Sequence, residues 1–200
     1  MKKIGIMGGT FNPPHIGHLM IAQAVLDELK LDTILFMPTG KTPHKDNSKI
    51  LDAHHRLNMT ELLTIENPKF ITSDFEVKND DFSYTANTVE SLNASYSGAK
   101  LYFIVGADSL CYMEKWYKPE RIFENCTVCV ANRDELSQYT LKQKIEKLES
   151  DFNCDIIKVD MPNIGISSTQ IRKRVHDGKN IHYFTTTDVE EYIKNNALYL

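Results

Sequence analysis

The sequence predicts an α/β protein built on a doubly wound parallel sheet, and two observations lead to this class. Continuous apolar runs of strand length recur along the chain, as at 3–7 and 101–105. Segments with apolar residues at helical spacing alternate with these runs. Apolar strands that alternate with helices are typical of a parallel sheet covered on both faces, a Rossmann-like arrangement.

The elements follow one another in a regular order. A strand at 3–7 leads through a glycine-rich turn into a helix that starts near Gly17. Further strands are predicted at 33–37, 101–105, 126–131 and 155–159. Further helices are predicted at 51–65 with Asp52 as N-cap, at 85–92 and at 141–148. Ligands of such sheets bind beyond the carboxyl ends of the strands, so functional residues are expected there.

The C-terminal part of the chain is polar and has a helical pattern. We expect a core at 1–165 and a small C-terminal helical subdomain of the same domain at 166–200. Its last helix should start near Asp188 and bury Tyr192 and Ile193.

Composition excludes several classes of protein. The 200 residues, 42% apolar and 25% charged, fit one globular domain. A net charge of -4 argues against a general nucleic-acid-binding protein, which needs a basic surface. The apolar stretch after Lys3 is too short for a signal peptide, and no run approaches the roughly 18 residues of a membrane helix. We expect a cytoplasmic protein with neither nucleic acid nor membrane as partner.

Cys126 and Cys129 form a Cys-x-x-Cys pair, which suits a redox site or half of a zinc site. Their surroundings, however, indicate a buried strand, on which residues three apart point to opposite faces. We therefore expect two structural cysteines.

The strongest motif stands between the first strand and the first helix. Residues 8–18 read Gly-Gly-Thr-Phe-Asn-Pro-Pro-His-Ile-Gly-His. They lack both the Gly-Lys-Ser/Thr ending of a P-loop and the three spaced glycines of a dinucleotide fingerprint. A glycine turn and a helix start offer N–H groups and a positive dipole end, and His15 and His18 add two donors. This pattern indicates a site for phosphate groups.

The same stretch resembles the His-x-Gly-His signature of the nucleotidyltransferase superfamily. A second stretch, Ile-Ser-Ser-Thr-Gln-Ile-Arg at 166–172, resembles that superfamily's Ile-Ser-Ser-Thr-x-Ile-Arg segment. The resemblance implies that hydroxyls, N–H groups and Arg172 hold the β and γ phosphates of ATP. By itself this stretch is more typical of a serine-capped helix with an exposed arginine, and the phosphate-binding interpretation is favoured because the first motif accompanies it.

Within the superfamily, the double proline before His15 and the chain length resemble the bacterial nicotinate mononucleotide adenylyltransferases. Further similarities, in the family's order, are Pro38 to Lys45, His55-Arg56-Leu57-x-Met59, Ser83-Tyr84-Thr85, Gly106-Ala107-Asp108-Ser109, Trp116 and the ending from Ile193 to Tyr199. Two positions depart from the family: Asn12 stands where Asp is general, and Thr186 where proline is common. The first departure affects how the glycine loop is braced or how a bound metal's waters are held.

The resemblance implies transfer of AMP from ATP to nicotinate mononucleotide, with Mg²⁺ carried in on ATP and no dedicated protein metal site. The implied catalytic residues are His15, His18, Lys45 and Arg172. The implied ATP-binding residues are Gly8, Gly9, Thr10, Phe11, Gly17, Gly106, Asp108, Ile166, Ser167 and Ser168. The implied acceptor-binding residues are Thr39, Ser83, Tyr84, Thr85, Trp116, Tyr117 and Arg133.

Within that acceptor set, Trp116 is expected to stack on the pyridine ring, Thr85 to receive its carboxylate and Arg133 to bind the phosphate. A pocket that offers only hydrogen-bond donors would favour nicotinate over nicotinamide. Plainer interpretations stay open: Lys45 as a solvated loop residue, Asp108 as a helix cap, Trp116 as a core residue. Arg56 is expected either to pair with acidic neighbours or to serve the site.

Other functions are open at this level. The acceptor could be nicotinamide mononucleotide or phosphopantetheine, although the phosphopantetheine enzymes usually carry Thr at the position of His15. A cytidylyltransferase commonly shows a different signature in place of 166–172. A non-catalytic nucleotide sensor could share the fold, and the sequence leaves open whether the chain forms a homodimer.

Overall fold

Six parallel strands form one sheet in the part of the chain that the computed structural model describes, residues 1–42, 50–79, 81–132, 138–161 and 164–200. The strands are β1 (Lys3–Gly9), β2 (Thr33–Pro38), β3 (Phe70–Thr72), β4 (Lys100–Gly106), β5 (Thr127–Asn132) and β6 (Ile156–Asp160). Their order in space is β3-β2-β1-β4-β5-β6, and each neighbouring pair is parallel. The predicted Rossmann-like, doubly wound sheet is confirmed.

Helices connect the strands. They are α1 (Ile16–Leu29), α2 (Ala53–Thr64), α3 (Thr85–Ser95), α4 (Ala107–Cys111), α5 (Pro119–Asn125), α6 (Gln138–Phe152), α7 (Ser168–His176) and α8 (Thr187–Asn195). Asp52 caps α2 as predicted, since its Oδ1 accepts a hydrogen bond from the His54 N–H at 2.8 Å. The sequence interpretation missed β3, α4 and α5, which have three, five and seven residues and are too short to show a periodic pattern.

The core consists of two apolar layers, one on each face of the sheet. Along β2, Ile34 and Phe36 enter one layer while Leu35 and Met37 enter the other. This alternation is the two-residue period of a strand. It explains why β2 is apolar throughout.

The two cysteines divide in the same way. Cys129 lies in the layer with Phe36, and Cys126 lies in the opposite layer. Burial raises the pKa of both thiols to about 12, so neither is a reactive thiolate at neutral pH. The expected structural role of this pair is confirmed.

The C-terminal helices share the core of the sheet. Ile171 of α7 and Val189 and Ile193 of α8 are buried in the same layer as Phe36. Tyr192 is half-buried, and its hydroxyl accepts a hydrogen bond from Asn58 Nδ2 of α2 at 3.0 Å. The boundary at residue 166 stays a prediction.

No described helix is both long enough and apolar enough to cross a membrane.

The strand order reverses between β1 and β4. The connections that leave these two neighbouring strands run to opposite sides of the sheet and leave a crevice at their carboxyl ends. The motif at residues 8–18 begins at this crevice, because β1 ends at Gly9.

Candidate active site

The two histidines of the β1–α1 connection lie against each other. His15 is the N-cap of α1, and its backbone N–H donates a hydrogen bond to His18 Nδ1 at 3.1 Å. The two rings stack with their centroids 3.7 Å apart. A neutral imidazole that accepts at Nδ1 carries its proton on Nε2. The backbone therefore selects the tautomer in which His18 Nε2 is a hydrogen-bond donor.

Phe11 and Gly17 determine how the rings of His15 and His18 pack. The edge of the Phe11 ring meets His18 with centroids 4.9 Å apart, and Phe11 has a φ of 48°, which is uncommon for a bulky residue. A Cβ atom on Gly17 would lie 3.0 Å from His15 Nδ1. Glycine at 17 thus allows the His15 ring to lie against the first turn of the helix.

Side chains from distant segments hold the connection in place. The bonds run from Arg56 Nη1 to Thr10 O (2.9 Å), from Arg172 Nη1 to Asn12 O (2.7 Å), from Ser168 Oγ to Pro13 O (2.7 Å) and from Thr185 Oγ1 to Pro14 O (3.0 Å). Backbone carbonyls are obligatory acceptors, so each bond fixes one residue of the loop. The start of α7 is therefore adjacent to the histidine loop, and Ser168 and Arg172 brace that loop.

Arg56 is a buried side chain that contacts the histidine loop. It is 2% exposed, and its Nε donates to Leu51 O at 2.8 Å in addition to its bond to Thr10 O. Burial lowers the pKa of the guanidinium, while the charges of Asp52 and other neighbours act in the opposite direction. Its hydrogen bonds go to carbonyl oxygens, and its acidic neighbours Asp52 and Glu76 act on it through their charge. Arg56 supports the loop.

A cavity of about 290 Å³ adjoins the glycine turn. Residues of both predicted binding sets line it: Gly8, Gly9, Thr10, Thr39, Ser83, Tyr84, Thr85, Trp116 and Tyr117. Two backbone hydrogen bonds connect these segments, Thr39 N–H to Gly9 O at 2.9 Å and Ser83 N–H to Lys41 O at 2.8 Å. The structure thus brings the described members of the expected acceptor set and part of the expected ATP residues to one place.

Other predicted residues are outside the lining of this cavity. Gly106 is the N-cap of α4, and exposed Asp108 in its first turn precedes Ser109, which lines the cavity. Exposed Ser167 caps α7 by accepting the Gln170 N–H at 3.2 Å, and Ile166 precedes it. Lys45 and Arg133 lie outside the described residues.

The lining also contains residues that the sequence interpretation did not assign to the site, and one of them, Glu76, is charged. Glu76 is 8% exposed and borders the cavity together with Thr88. The cavity is therefore bordered by a carboxyl group as well as by the expected donors. Glu76 gives no signal in the sequence, since a charged residue between Phe75 and Val77 is typical of a solvated position.

Comparison with known proteins identifies the family of this chain. The family model described as cytidylyltransferase-like matches residues 6–174. A "probable nicotinate-nucleotide adenylyltransferase" of Lachnoclostridium phytofermentans is 37% identical over 200 residues, which is 100% of both chains. One of Caldicellulosiruptor bescii is 42% identical over 197 residues, or 98% of each chain. The chain belongs to the nicotinate-nucleotide adenylyltransferases, within the cytidylyltransferase-like family.

Solved structures agree on the fold. The nicotinic acid mononucleotide adenylyltransferase of Plasmodium falciparum, complexed with NaAD, has a TM-score of 0.81 and 20% identity over 100% of this chain and 98% of its own. The same protein complexed with APC has a TM-score of 0.79 and 19% identity, with the same coverage. At this identity the similarity concerns the architecture of the chain.

The side chain of Asn12, the position at which the resemblance implies a departure from the family, has a defined partner. The hydroxyl of Tyr199 donates a hydrogen bond to Asn12 Oδ1 at 2.8 Å across 187 positions of sequence. Burial raises the pKa of Tyr199, so the hydroxyl remains protonated and can donate. The second-last residue of the chain therefore braces the histidine loop.

Tyr199→Phe tests this brace. It leaves Asn12 Oδ1, in a side chain that is 5% exposed, without its donor. We expect unfolding free energy to fall by about 1–3 kcal/mol, the cost of a buried group left unpaired, and kcat to fall severalfold as the loop loosens. Chemical denaturation and steady-state kinetics measure both quantities. Tyr183→Phe, at a side chain 82% exposed, is the control, and equal behaviour of the two variants would contradict the brace.

Proposed function

We propose that this chain transfers AMP from ATP to nicotinate mononucleotide, forming nicotinate adenine dinucleotide (deamido-NAD) and pyrophosphate in NAD biosynthesis. One observation carries the proposal: the glycine turn of the histidine loop and residues 83–85 with Trp116 line the same cavity. A phosphate site and an aromatic pocket in direct contact suit an acceptor that has a phosphate at one end and a flat ring at the other.

The reaction needs no nucleophile from the protein. An oxygen of the acceptor phosphate attacks the α-phosphorus of ATP in line, the bond to the β-phosphate oxygen breaks, and pyrophosphate leaves with that electron pair. The protein must bring two polyanions together and offset their charge. We assign His18 Nε2–H to the α-phosphate and His15 to neighbouring oxygens, with Ser168 and Arg172 on the β and γ phosphates. Lys45 and Arg133 remain part of the proposal as further cations.

A divalent cation belongs to this proposal. The groups that we assign to the triphosphate are imidazoles, hydroxyls, a guanidinium and helix N–H groups, and this set contains no carboxylate, the protein ligand that Mg²⁺ usually takes. They fit a Mg²⁺ ion held mainly by phosphate oxygens and water, as Mg²⁺ commonly is in nucleotide enzymes. Bound in this way, the ion would neutralise the charge on the departing pyrophosphate.

The acceptor ring is proposed to lie between Trp116 and the start of α3. Trp116 is half-buried and meets Phe103 edge to face, with centroids 6.3 Å apart. The Tyr84 and Tyr117 rings lie 4.5 Å apart beside it. Helix α3 begins at Thr85, and the N–H groups of Thr85 and Ala86 lie at its positive end, while the Asn87 N–H already donates to Tyr84 O at 3.0 Å. Such groups would favour a ring carboxylate.

Pyrophosphate release measured with different acceptors tests the proposal. We expect the catalytic efficiency with nicotinate mononucleotide to exceed that with its amide at least tenfold, because a carboxamide N–H₂ would face N–H donors, at about 1–3 kcal/mol for each unpaired group. Phosphopantetheine should release little pyrophosphate. Equal use of the two pyridine nucleotides would contradict the assignment of the carboxylate to α3, and preference for phosphopantetheine would contradict the proposed function.

Trp116→Ala completes this experiment. Trp116 would stack on the nicotinate ring and on the nicotinamide ring in the same way. The variant should therefore lower the catalytic efficiency with both acceptors alike and leave the ratio of the two efficiencies unchanged. A changed ratio would show that Trp116 contacts the carboxylate or carboxamide group itself.

Two further properties stay proposals. We place the reaction in the cytoplasm, as the sequence analysis expects. Whether the chain forms a homodimer can be determined by sedimentation at several protein concentrations.

A further inference from the structure

Glu76 is a buried carboxyl group that the proposed chemistry does not use. It follows β3 at the edge of the sheet, is 8% exposed and borders the cavity. Charged side chains are seldom buried to this degree unless they are paired. Its position therefore calls for a physical reason.

The contacts of Glu76 connect three segments of the cavity wall. Thr88 Oγ1 of α3 donates to Glu76 Oε1 at 2.7 Å. Within the described residues Oε2 has no partner of good hydrogen-bond geometry, yet the Ser83 hydroxyl and the Gly40 N–H lie close enough to lower the carboxyl pKa. Gly40 N–H itself donates to Ser83 Oγ at 3.1 Å.

Gly40 also lies directly against the backbone of Glu76. A Cβ atom at position 40 would stand 2.3 Å from Glu76 O and 2.9 Å from Ser83 Oγ, so a side chain there would push the segments apart. The turn after β2, the residue before Tyr84 and the second turn of α3 thus meet at one carboxyl group.

The electrostatics agree with a group held by hydrogen bonds. Burial raises the pKa of Glu76, while the hydrogen bond from Thr88, the nearby Ser83 hydroxyl and Gly40 N–H, and the charge of Arg56 lower it. Among the causes of this shift, Arg56 of α2 is the charged side chain and the others are neutral donors. The neutral donors all belong to segments that line or adjoin the cavity.

We propose that Glu76 is the positioning residue of the acceptor pocket: its carboxyl group sets the distance between residues 39–40, Ser83 and α3. This inference rests on the proposed function only in naming the molecule that the pocket receives. A carboxyl group suits the position because both of its oxygens can accept hydrogen bonds. An amide has only one accepting oxygen, and its other end is a donating N–H₂ group. Its loss should therefore weaken acceptor binding and leave ATP binding unchanged.

The only tryptophan of the chain, Trp116, lies in the same cavity and provides a binding signal without turnover. Quenching of its fluorescence by nicotinate mononucleotide should show a Kd raised roughly tenfold in Glu76→Ala, the scale of one or two lost hydrogen bonds. Glu76→Gln, which keeps an acceptor for Thr88 but turns N–H₂ toward Gly40, should lie between Ala and the wild type. Gly40→Ala should give a similar defect without any change of charge.

Steady-state kinetics supply the second measurement. The acceptor KM should follow the Kd, while the ATP KM stays within about twofold. Asp74→Asn is the matched control and should behave as the wild type, because this exposed carboxylate lies two positions before Glu76 and pairs with Lys78. Thermal unfolding shows whether each variant folds. If Glu76→Ala does not fold, the milder Glu76→Gln variant takes its place as the test.

The outcomes separate the two proposals. A wild-type protein that binds no nicotinate mononucleotide contradicts the proposed acceptor. A wild type that binds it, with folded Glu76→Ala and Glu76→Gln proteins that bind equally well, contradicts the role of Glu76. Equal rises in the KM of ATP and of the acceptor contradict it too, since a general loosening of the fold would act on both substrates.

Discussion

Replacing His18 with Ala is expected to lower kcat on the order of 10² or more, the size of effect that follows loss of one preorganised charge stabiliser. His18 lies in the first turn of α1, where its ring stacks on His15 and meets the edge of Phe11. A donor held in this way costs no reorganisation when charge develops on the α-phosphate. The protein should still fold, because the ring is only half-buried.

The two ring nitrogens of His18 have different tasks, and two variants separate them. Asn places an amide oxygen near the position of Nδ1, where it can still accept the His15 N–H, but it has nothing near Nε2. Gln places an amide N–H₂ near Nε2 and gives up the bond at Nδ1. If the donor at Nε2 is what stabilises the transition state, His18→Asn should be as slow as His18→Ala, and His18→Gln should retain more activity.

Single-turnover pyrophosphate release under saturating ATP and acceptor measures this effect on the chemical step. His54→Ala, at an exposed histidine in the first turn of α2, is the control for loss of an imidazole elsewhere. Near-normal rates in a folded His18→Ala protein would remove His18 from the mechanism. A fast Asn variant with a slow Gln variant would assign the histidine a bracing role.

The β1–α1 unit could be predicted because its signals are local. Apolar strand residues, a glycine turn and an apolar helical face follow one another within one short stretch, and the two histidines stand at the helix start where anions bind. Asp52 at the start of α2 is a similar case, since capping depends on neighbours in sequence.

What the sequence could not predict depends on distant contacts. Tyr199 and Asn12 are hydrogen-bonded across 187 positions, and no local pattern in either stretch indicates the pair. Burial of Glu76 likewise follows from the meeting of three separate segments. The short β3 strand, at the edge of the sheet, becomes a strand through its pairing with β2 and not through its own three residues.

Replacing Arg172 with Ala is expected to raise the KM of ATP and to lower kcat/KM for ATP on the order of 10². A guanidinium makes charge-assisted hydrogen bonds of about 1.5–3 kcal/mol each, and about 1.4 kcal/mol corresponds to a factor of ten. The acceptor KM should change little, because residues 83–85 and Trp116 line the cavity while Arg172 lies on α7 and is not among the lining residues. Steady-state kinetics with each substrate varied in turn measure this split.

The contacts of Arg172 require a second comparison, because Nη1 donates to Asn12 O at 2.7 Å and Nη2 to Thr169 Oγ1 at 3.2 Å. Part of the loss in Arg172→Ala could therefore come from a loosened loop. Tyr199→Phe removes another bond to Asn12 and keeps the arginine, so it shows the effect of loosening alone. Lys173→Ala, an exposed cation on the same helix, is the control for lost charge.

These variants distinguish phosphate binding from loop bracing at Arg172. If Arg172 binds the β and γ phosphates, Arg172→Lys should recover part of the ATP affinity, although lysine lacks the planar fork. The tyrosine variant should then affect kcat without a specific change in the KM of ATP. If Arg172 and Tyr199 variants instead show the same kinetic pattern, the arginine acts by holding Asn12. A rise in the acceptor KM with unchanged ATP use would show that the two substrates bind the other way round.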